Sequence, residues 1–407
     1  MRFVGYHCDG CGRDLGPEEA VYRCPSCGEN LSVRPDFASV TRAQIEASRD
    51  PSLWRYAPLL PVAVPGAESG PLASVGGTPL YDAPRAAARF GVARVSLKDE
   101  GRMPTGSLKD RASAVVVQRA REIGDVPIIT ASTGNAGVAL AAMARAAGRE
   151  AVILVPESAP PAKIAQLMIY GARLALVRGS YDDAFALSEV AARELGWYCR
   201  NTGQNPFTLE GKKTAAFEIA EQLGWQVPDR VFVSVGDGNI ISAVHKGFRE
   251  LLQLGWIERI PKLMGVQAAG SSPIYAAFAS GSRAIEEVQA HTLADSISAG
   301  RPSDGRRALA AARDSGGAML SVSDDAILSA IASLGRDAAV FAEPAAAAAY
   351  AGLERAASQG RLDESEHVLV LITGTGLKDV GAATRAAGAK PPIIEPELGA
   401  LQRALEL

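Results

Sequence analysis

Ile128-Ile129-Thr130-Ala131-Ser132-Thr133-Gly134-Asn135-Ala136-Gly137 is the stretch on which the fold class turns. Its first four residues are apolar or β-branched and read as a buried strand. Pro127 stands just before them, where a strand tolerates a missing donor. Small and polar residues follow, and the alanine-rich segment 136–147 is predicted to be helical. A strand that passes to a helix through such a loop is the repeating unit of a parallel sheet.

The same alternation continues outward. Strands are predicted over 151–155, 174–177, 230–235, 263–267 and 368–372, and helices over 162–170, 182–195, 247–254 and 345–353. Trp197-Tyr198-Cys199 is a further apolar run, in which Cys199 reads as a buried strand residue. At 407 residues the chain exceeds what one hydrophobic core serves. The expected fold is α/β with two parallel-sheet domains. A small domain would span 111–204, and a large one would be assembled from 36–110 and 205–390. Within 36–75, Pro51, Pro58, Pro61, Pro65 and Pro71 prevent long helices and mark a linker.

Functional loops in such sheets sit at the carboxyl ends of strands. Three glycine-bearing loops are placed there: 132–137, 236–239 and 373–376. Together they imply one shared cleft. None has the G-x-G-x-x-G spacing, which argues against a dinucleotide. The chain is 47% hydrophobic and 21% charged with a net charge of -3, so nothing points to nucleic acid. No apolar run approaches the roughly 18 residues of a membrane span, and the N-terminus lacks a signal-like stretch. A cytoplasmic location is expected.

Cys8, Cys11, Cys24 and Cys27 read C-x2-C-x12-C-x2-C, with a glycine after each pair. In a reducing compartment paired knuckles of this kind are thiolate ligands for a tetrahedral metal. Residues 1–35 are too few to build a core of their own, so a structural zinc would serve as one. A redox dithiol pair and vestigial cysteines are the alternatives. Only Arg13 and Arg23 lie between the outer cysteines, which argues against a DNA-reading ribbon.

Pro104-Thr105-Gly106-Ser107-Leu108-Lys109-Asp110-Arg111 opens a helix. A lysine at a helix start is commonly just solvated. One held in a cleft beside the positive helix end loses its proton more readily, as an amine that attacks a carbonyl must. The 132–137 loop, with the hydroxyls of Ser132 and Thr133, suits an anion such as a carboxylate. Gly236-Asp237-Gly238-Asn239-Ile240 exposes several amides and suits a phosphate, or is a plain tight turn.

Taken in order, T-G-S-x-K-D-R at 105–111, S-T-G-N at 132–135, N-P-x-x-L-E-G-x-K-T at 205–214, the glycine loop at 236–239, E-P-A at 343–345 and T-G-x-G-L-K-D at 373–379 resemble threonine synthase. That family consists of fold-type-II pyridoxal 5'-phosphate enzymes, related to the tryptophan synthase β chain. Some members carry an N-terminal four-cysteine segment. The resemblance spans about residues 75–385. It implies that Lys109 carries the cofactor and shuttles protons, and that Asn135 bonds the cofactor's phenolic oxygen. Gly236, Gly238 and Asn239 would hold its phosphate, with Asp237 and Ile240 in the same loop. Thr373 would place a hydroxyl at the pyridine nitrogen, a neutral partner that favours elimination and replacement. Ser132 and Thr133 would receive the substrate carboxylate, and Asn201 and Thr208 would lie near the substrate's phosphate. The family reaction converts O-phosphohomoserine and water to threonine and phosphate, and a homodimer is implied.

The chain also departs from that pattern. Thr208 stands where the family has an arginine for the substrate phosphate. Asp237 replaces an asparagine in a loop one residue shorter, and Thr375 replaces a histidine. From these changes O-phosphohomoserine is expected to be a poor substrate, unless a basic residue such as Lys98, Arg102 or Lys163 compensates. A β-replacing synthase of the cysteate-synthase kind and an amino-acid dehydratase are the enzymatic alternatives. A non-catalytic cofactor-binding or ribbon interaction protein is the alternative of another class.

Overall fold

The computed structural model describes residues 3–19, 22–159, 161–388 and 391–405. The chain opens with a three-stranded antiparallel sheet, in which β1 (Phe3–Cys8) lies between β2 (Asp14–Leu15) and β3 (Leu31–Pro35). Short helical pieces at Arg42–Glu46, Leu53–Leu59 and Ala67–Ser74 follow, as the prolines dictate. Next come β4 (Leu80–Asp82) and β5 (Arg94–Asp99), the helix Lys109–Ile123, and a four-stranded sheet made of β6 (Ile128–Ala131), β7 (Ala151–Pro156), β8 (Arg173–Val177) and β9 (Tyr198–Cys199). Its order is β8-β7-β6-β9 and every pair is parallel. The remaining strands are β10 (Arg230–Ser234), β11 (Lys262–Ala268), β12 (Ala318–Val322) and β13 (His367–Ile372). They join β5 and β4 in a six-stranded sheet of order β12-β11-β10-β13-β5-β4, parallel except at the β4 edge.

Alternation within the central strands shows why both faces of the large sheet are covered. Val231 and Val233 of β10 and Leu369 and Leu371 of β13 join one core. Phe232, Val368, Val370 and Ile372 join the other. Strands buried on both faces read as continuous apolar runs, which is how β10 and β13 were legible in sequence. The helix Pro344–Ser358 closes one face with its alanine run, and at Gly352 a Cβ would stand only 2.3 Å from Val266 Cγ2. Small side chains let this helix sit that near the sheet. β5 escaped the sequence reading because Ser96 and Lys98 interrupt its apolar pattern, although both are buried. Lys98 is tolerated there because its ammonium donates to Glu218 at 2.7 Å. Among the described residues no helix is long and apolar enough to cross a membrane.

Candidate active site

Loops leaving the carboxyl ends of β6, β9, β10 and β13 line one open cleft of about 2390 Å³. That exceeds a single small-molecule site, typically about 300–1,000 Å³, because the cleft runs out to the N-terminal sheet. Asp9, Asn30, Ser32 and Val33 are part of its wall.

Lys109 is the first residue of its helix, partly exposed to the cleft. Its chain is pinned to the end of β13: Leu108 N donates to Thr373 O at 2.9 Å, and Ser107 bridges Gly374. Burial, helped by the charge of Arg200, lowers the Lys109 pKa against the pull of Asp237 and Glu343. The amine is thereby nearer its reactive, neutral form. Asp110 turns away to accept from Thr105 N and Oγ1 at 2.7 and 2.5 Å, and burial pushes its carboxyl up to about 6. Arg111 faces a buried cage behind the site. It donates to both oxygens of Glu100 (2.6 and 2.8 Å) and both of Glu218 (2.6 and 2.7 Å).

Ser132, Thr133, Gly134 and Asn135 line the cleft where β6 passes to the helix Asn135–Ala146. A Cβ at Gly137 would lie 2.1 Å from Ser132 O, so glycine there permits the tight turn. Asn135 Nδ2 donates to Glu343 Oε1 at 2.8 Å and approaches Ser296 Oγ at 3.4 Å. Across the cleft, Gly238 holds φ at +91°, which a side chain would oppose, and a Cβ there would meet Ala308 Cβ at 2.7 Å. This conformation caps the helix Asn239–Gln253, and such a glycine loop at a helix start is an anion cradle. Asn239 is buried, accepting from Lys212 Nζ and donating to Asp304 Oδ2 at 3.0 Å. Asp237 uses Oδ1 to accept from Ser303 N and Oγ, at 3.2 and 3.0 Å. Ile240 and Thr373 complete this part of the lining.

Two of the sequence-selected residues sit elsewhere. Asn201 is buried inside the small sheet, its Oδ1 accepting from Thr130 Oγ1 and Ala131 N and its Nδ2 donating to Ser188 Oγ. Thr208 is fully buried and donates its hydroxyl to Asn205 O at 2.7 Å, within its own helical turn. Neither lines the cleft. Lys98 belongs to the Arg111 cage, and Arg102 pairs with Asp99 at 3.2 Å. Lys163 lines the cleft and pairs with Asp295 at 2.5 Å. Three residues given no role in the sequence reading are brought to the site: Arg200, Lys212 and Glu343. Lys212 follows Gly211 in the 205–214 motif, and that doubled lysine was the available signal for it. Arg200 had none beyond its place after a strand.

The four cysteine sulfurs gather within 4.8 Å of one another, with Cys8–Cys27 at 3.4 Å and Cys11–Cys24 at 3.8 Å. Tetrahedral zinc, with sulfurs about 2.3 Å from the metal, needs spacings of this order. The cysteine unit leans on the phosphate-type loop. Asn30 Nδ2 donates to Ser303 O (2.8 Å) and Asp304 Oδ1 (3.2 Å), while Arg307 donates to Asp304, Asp9 and Leu31 O. On the small sheet, Cys199 N donates to Tyr22 OH at 2.7 Å.

Residues 72–374 match the family profile described as pyridoxal-phosphate dependent enzyme. The chain belongs to that family. Within it the chain is threonine synthase-like: a threonine synthase of Methanocaldococcus jannaschii is 39% identical over 98% of both chains. One from Methanosarcina acetivorans is equally similar, at 39% over 98% of each. Among solved structures, an L-serine ammonia-lyase from Rhizomucor miehei superposes with a TM-score of 0.67 at 22% identity, over 76% of this chain and 97% of that one. That likeness supports the fold-type-II architecture. As a pyridoxal-phosphate enzyme of the threonine synthase-like kind, the chain performs elimination and replacement chemistry on a small amino acid. The donor set of the cleft fits such a cofactor: an amine of lowered basicity, a glycine cradle at a helix start, and the nearby nitrogen donors of Lys212 and Arg200.

Proposed function

We propose that the chain is a threonine synthase in activity, converting O-phosphohomoserine and water to threonine and phosphate. The observation that carries this is the pairing of two donor-rich places in one cleft, the glycine loop backed by Lys212 and the fully buried guanidinium of Arg200. A site that accepts both a cofactor phosphate and a departing phosphate needs donors for each. The near full-length similarity to proteins named threonine synthase supports the same reading. Of the three changes weighed against this substrate, Thr375 still counts against it, and the other two engage neighbours within the protein. Thr208 spends its hydroxyl on Asn205 outside the cleft, and Asp237 directs Oδ1 to Ser303.

In this reading Lys109 carries the cofactor and moves protons between the substrate's carbons. The amides of Gly236, Gly238 and Asn239, in the loop with Asp237 and Ile240, hold the cofactor phosphate. Asn135 meets its phenolic oxygen and Thr373 its ring nitrogen. Ser132 and Thr133 orient the substrate carboxylate. When bound, the cofactor supplies an electron sink for charge developed beside the amino carbon. Cys8, Cys11, Cys24 and Cys27 hold one structural zinc, and the enzyme works as a cytoplasmic homodimer, as the family resemblance supports.

Purified enzyme given O-phosphohomoserine should release phosphate and form threonine in equal amounts. Its kcat/KM should exceed those for phosphoserine, serine, threonine and O-acetylated amino acids. Ammonia from serine or threonine, with no threonine made from O-phosphohomoserine, would replace this reading with a dehydratase. Metal analysis of the reduced protein should find about one zinc per four-cysteine site.

A further inference from the structure

The cleft contains a buried cation that no carboxylate among the described residues pairs with, Asp110 acting on it only at a distance. Arg200 follows β9 directly, and its backbone amide donates to Ile129 O at 2.8 Å, fixing its place at the strand end. The residue is 0% exposed, yet it lines the cleft. Its Nε donates to Ser113 Oγ at 3.2 Å and Nη1 to Thr202 Oγ1 at 2.9 Å. Nη2 is buried with no hydrogen-bond partner among the described residues. Both partners are neutral hydroxyls. A guanidinium keeps its proton under ordinary conditions, so an unpaired one held out of water calls for an anion.

The surroundings indicate which anion. Ser113 lies one turn beyond Lys109 on the same helix, and the Arg200 charge is felt at Lys109. Thr202 and Tyr181, which also interacts electrostatically with Arg200, line the cleft. The glycine loop has its own donor, since Lys212 Nζ bonds Asn239. The carboxylate loop at Ser132 and Thr133 has the amides of a helix start. Arg200 is the cation left over.

We propose that Arg200 binds the anionic side-chain group of the amino-acid substrate and sets the preference for a charged leaving group. The identity of that group as a phosphate ester rests on the threonine synthase reading, whereas the anion site does not. Arg200 offers a planar fork of donors, which suits a tetrahedral dianion better than a point charge does.

The test uses cofactor-loaded enzyme at fixed ionic strength, with inorganic phosphate as the probe. Arg200→Met should weaken phosphate binding, measured by calorimetry, and raise KM for O-phosphohomoserine, each by about tenfold to a hundredfold. KM should move more than kcat, and cofactor content per chain should stay at the wild-type level. Arg200→Lys, which keeps the charge and loses the fork, should show a smaller loss. It decides the matter should the methionine variant fail to fold. An unchanged phosphate affinity in the folded variant overturns the proposal. So does loss of cofactor with unchanged phosphate affinity in the loaded fraction, which would assign Arg200 to the cofactor. Arg200-dependent phosphate binding without turnover of O-phosphohomoserine upholds the anion site and removes the threonine synthase reading. Normal turnover with unchanged KM in Arg200→Met does the reverse.

Discussion

Two fully buried arginines, Arg111 on the helix Lys109–Ile123 and Arg200 bonded to that helix at Ser113, have opposite electrostatic fates. Arg111 makes four short bonds to Glu100 and Glu218, and Glu218 also receives Lys98. In that cage two cations meet two carboxylates, and burial of Glu218 is outweighed by Arg111 and Lys98, so its pKa is lowered. Arg200 has two hydroxyls and, among the described residues, one nitrogen without a partner, and burial lowers its pKa to about 10. The first cluster is finished by the chain itself. The second is left open among the described residues, and the proposed anion completes it. Buried charge of the balanced kind holds a structure together, and buried charge left unbalanced beside a cleft marks a ligand site.

Removing Lys109 is the sharpest way to probe the unbalanced side. Lys109→Ala should lower kcat/KM by at least about a thousandfold, on the order of 4 kcal/mol in the barrier. It should also abolish the pyridoxyl adduct trapped by borohydride. Because no carboxylate pairs with Lys109 among the described residues, thermal stability should stay level or rise. A marked fall in Tm would break the contrast between the clusters. Persistence of the adduct on another lysine would overturn the assignment.

On the balanced side, Arg111→Met leaves Glu100 without a paired cation in the interior and Glu218 with Lys98 alone. A loss of about 3–5 kcal/mol in urea unfolding is expected, and it should be the larger stability effect of the two. A loss below about 1 kcal/mol would show that water reaches the cage and that its balance matters little. The smallest effect belongs to Thr208→Val, which removes one hydroxyl bond to a carbonyl that also accepts Thr208 N. About 0.5–1 kcal/mol of stability should be lost, with KM for O-phosphohomoserine unchanged. A raised KM would return Thr208 to the substrate site.

Much of this molecule was legible beforehand. β6, β7, β10, β11 and β13 carry unbroken apolar runs, and each glycine loop follows one of them, so the parallel order and the shared cleft could be anticipated. The four cysteines also come together as their spacing implies. β5 and β12 were missed. In β5 a buried lysine and serine break the pattern, and only a partner such as Glu218, distant in sequence, makes them tolerable. The docking of the cysteine unit on Asp304 and Arg307 was equally invisible, since those contacts join residues some 270 positions apart.

The lysine pair Lys212-Lys213 shows where the boundary falls. Local sequence placed both in a motif, and the structure puts that motif on helical turns the sequence reading had not assigned. Which lysine faces the glycine loop was decided by the tertiary structure. Lys213 points to Glu210 and Glu250, at 2.6 and 2.8 Å, and is neutralised, while Lys212, one position earlier, reaches Asn239 at the glycine loop. Successive residues on a helix project about 100° apart, so one step along the chain selects a different neighbour. Charge balance is a sum over neighbours in space. Arg200 and Thr208 follow the same logic: the motif pointed to Thr208, which packing buries away from the cleft, whereas Arg200 at the end of β9 lines it.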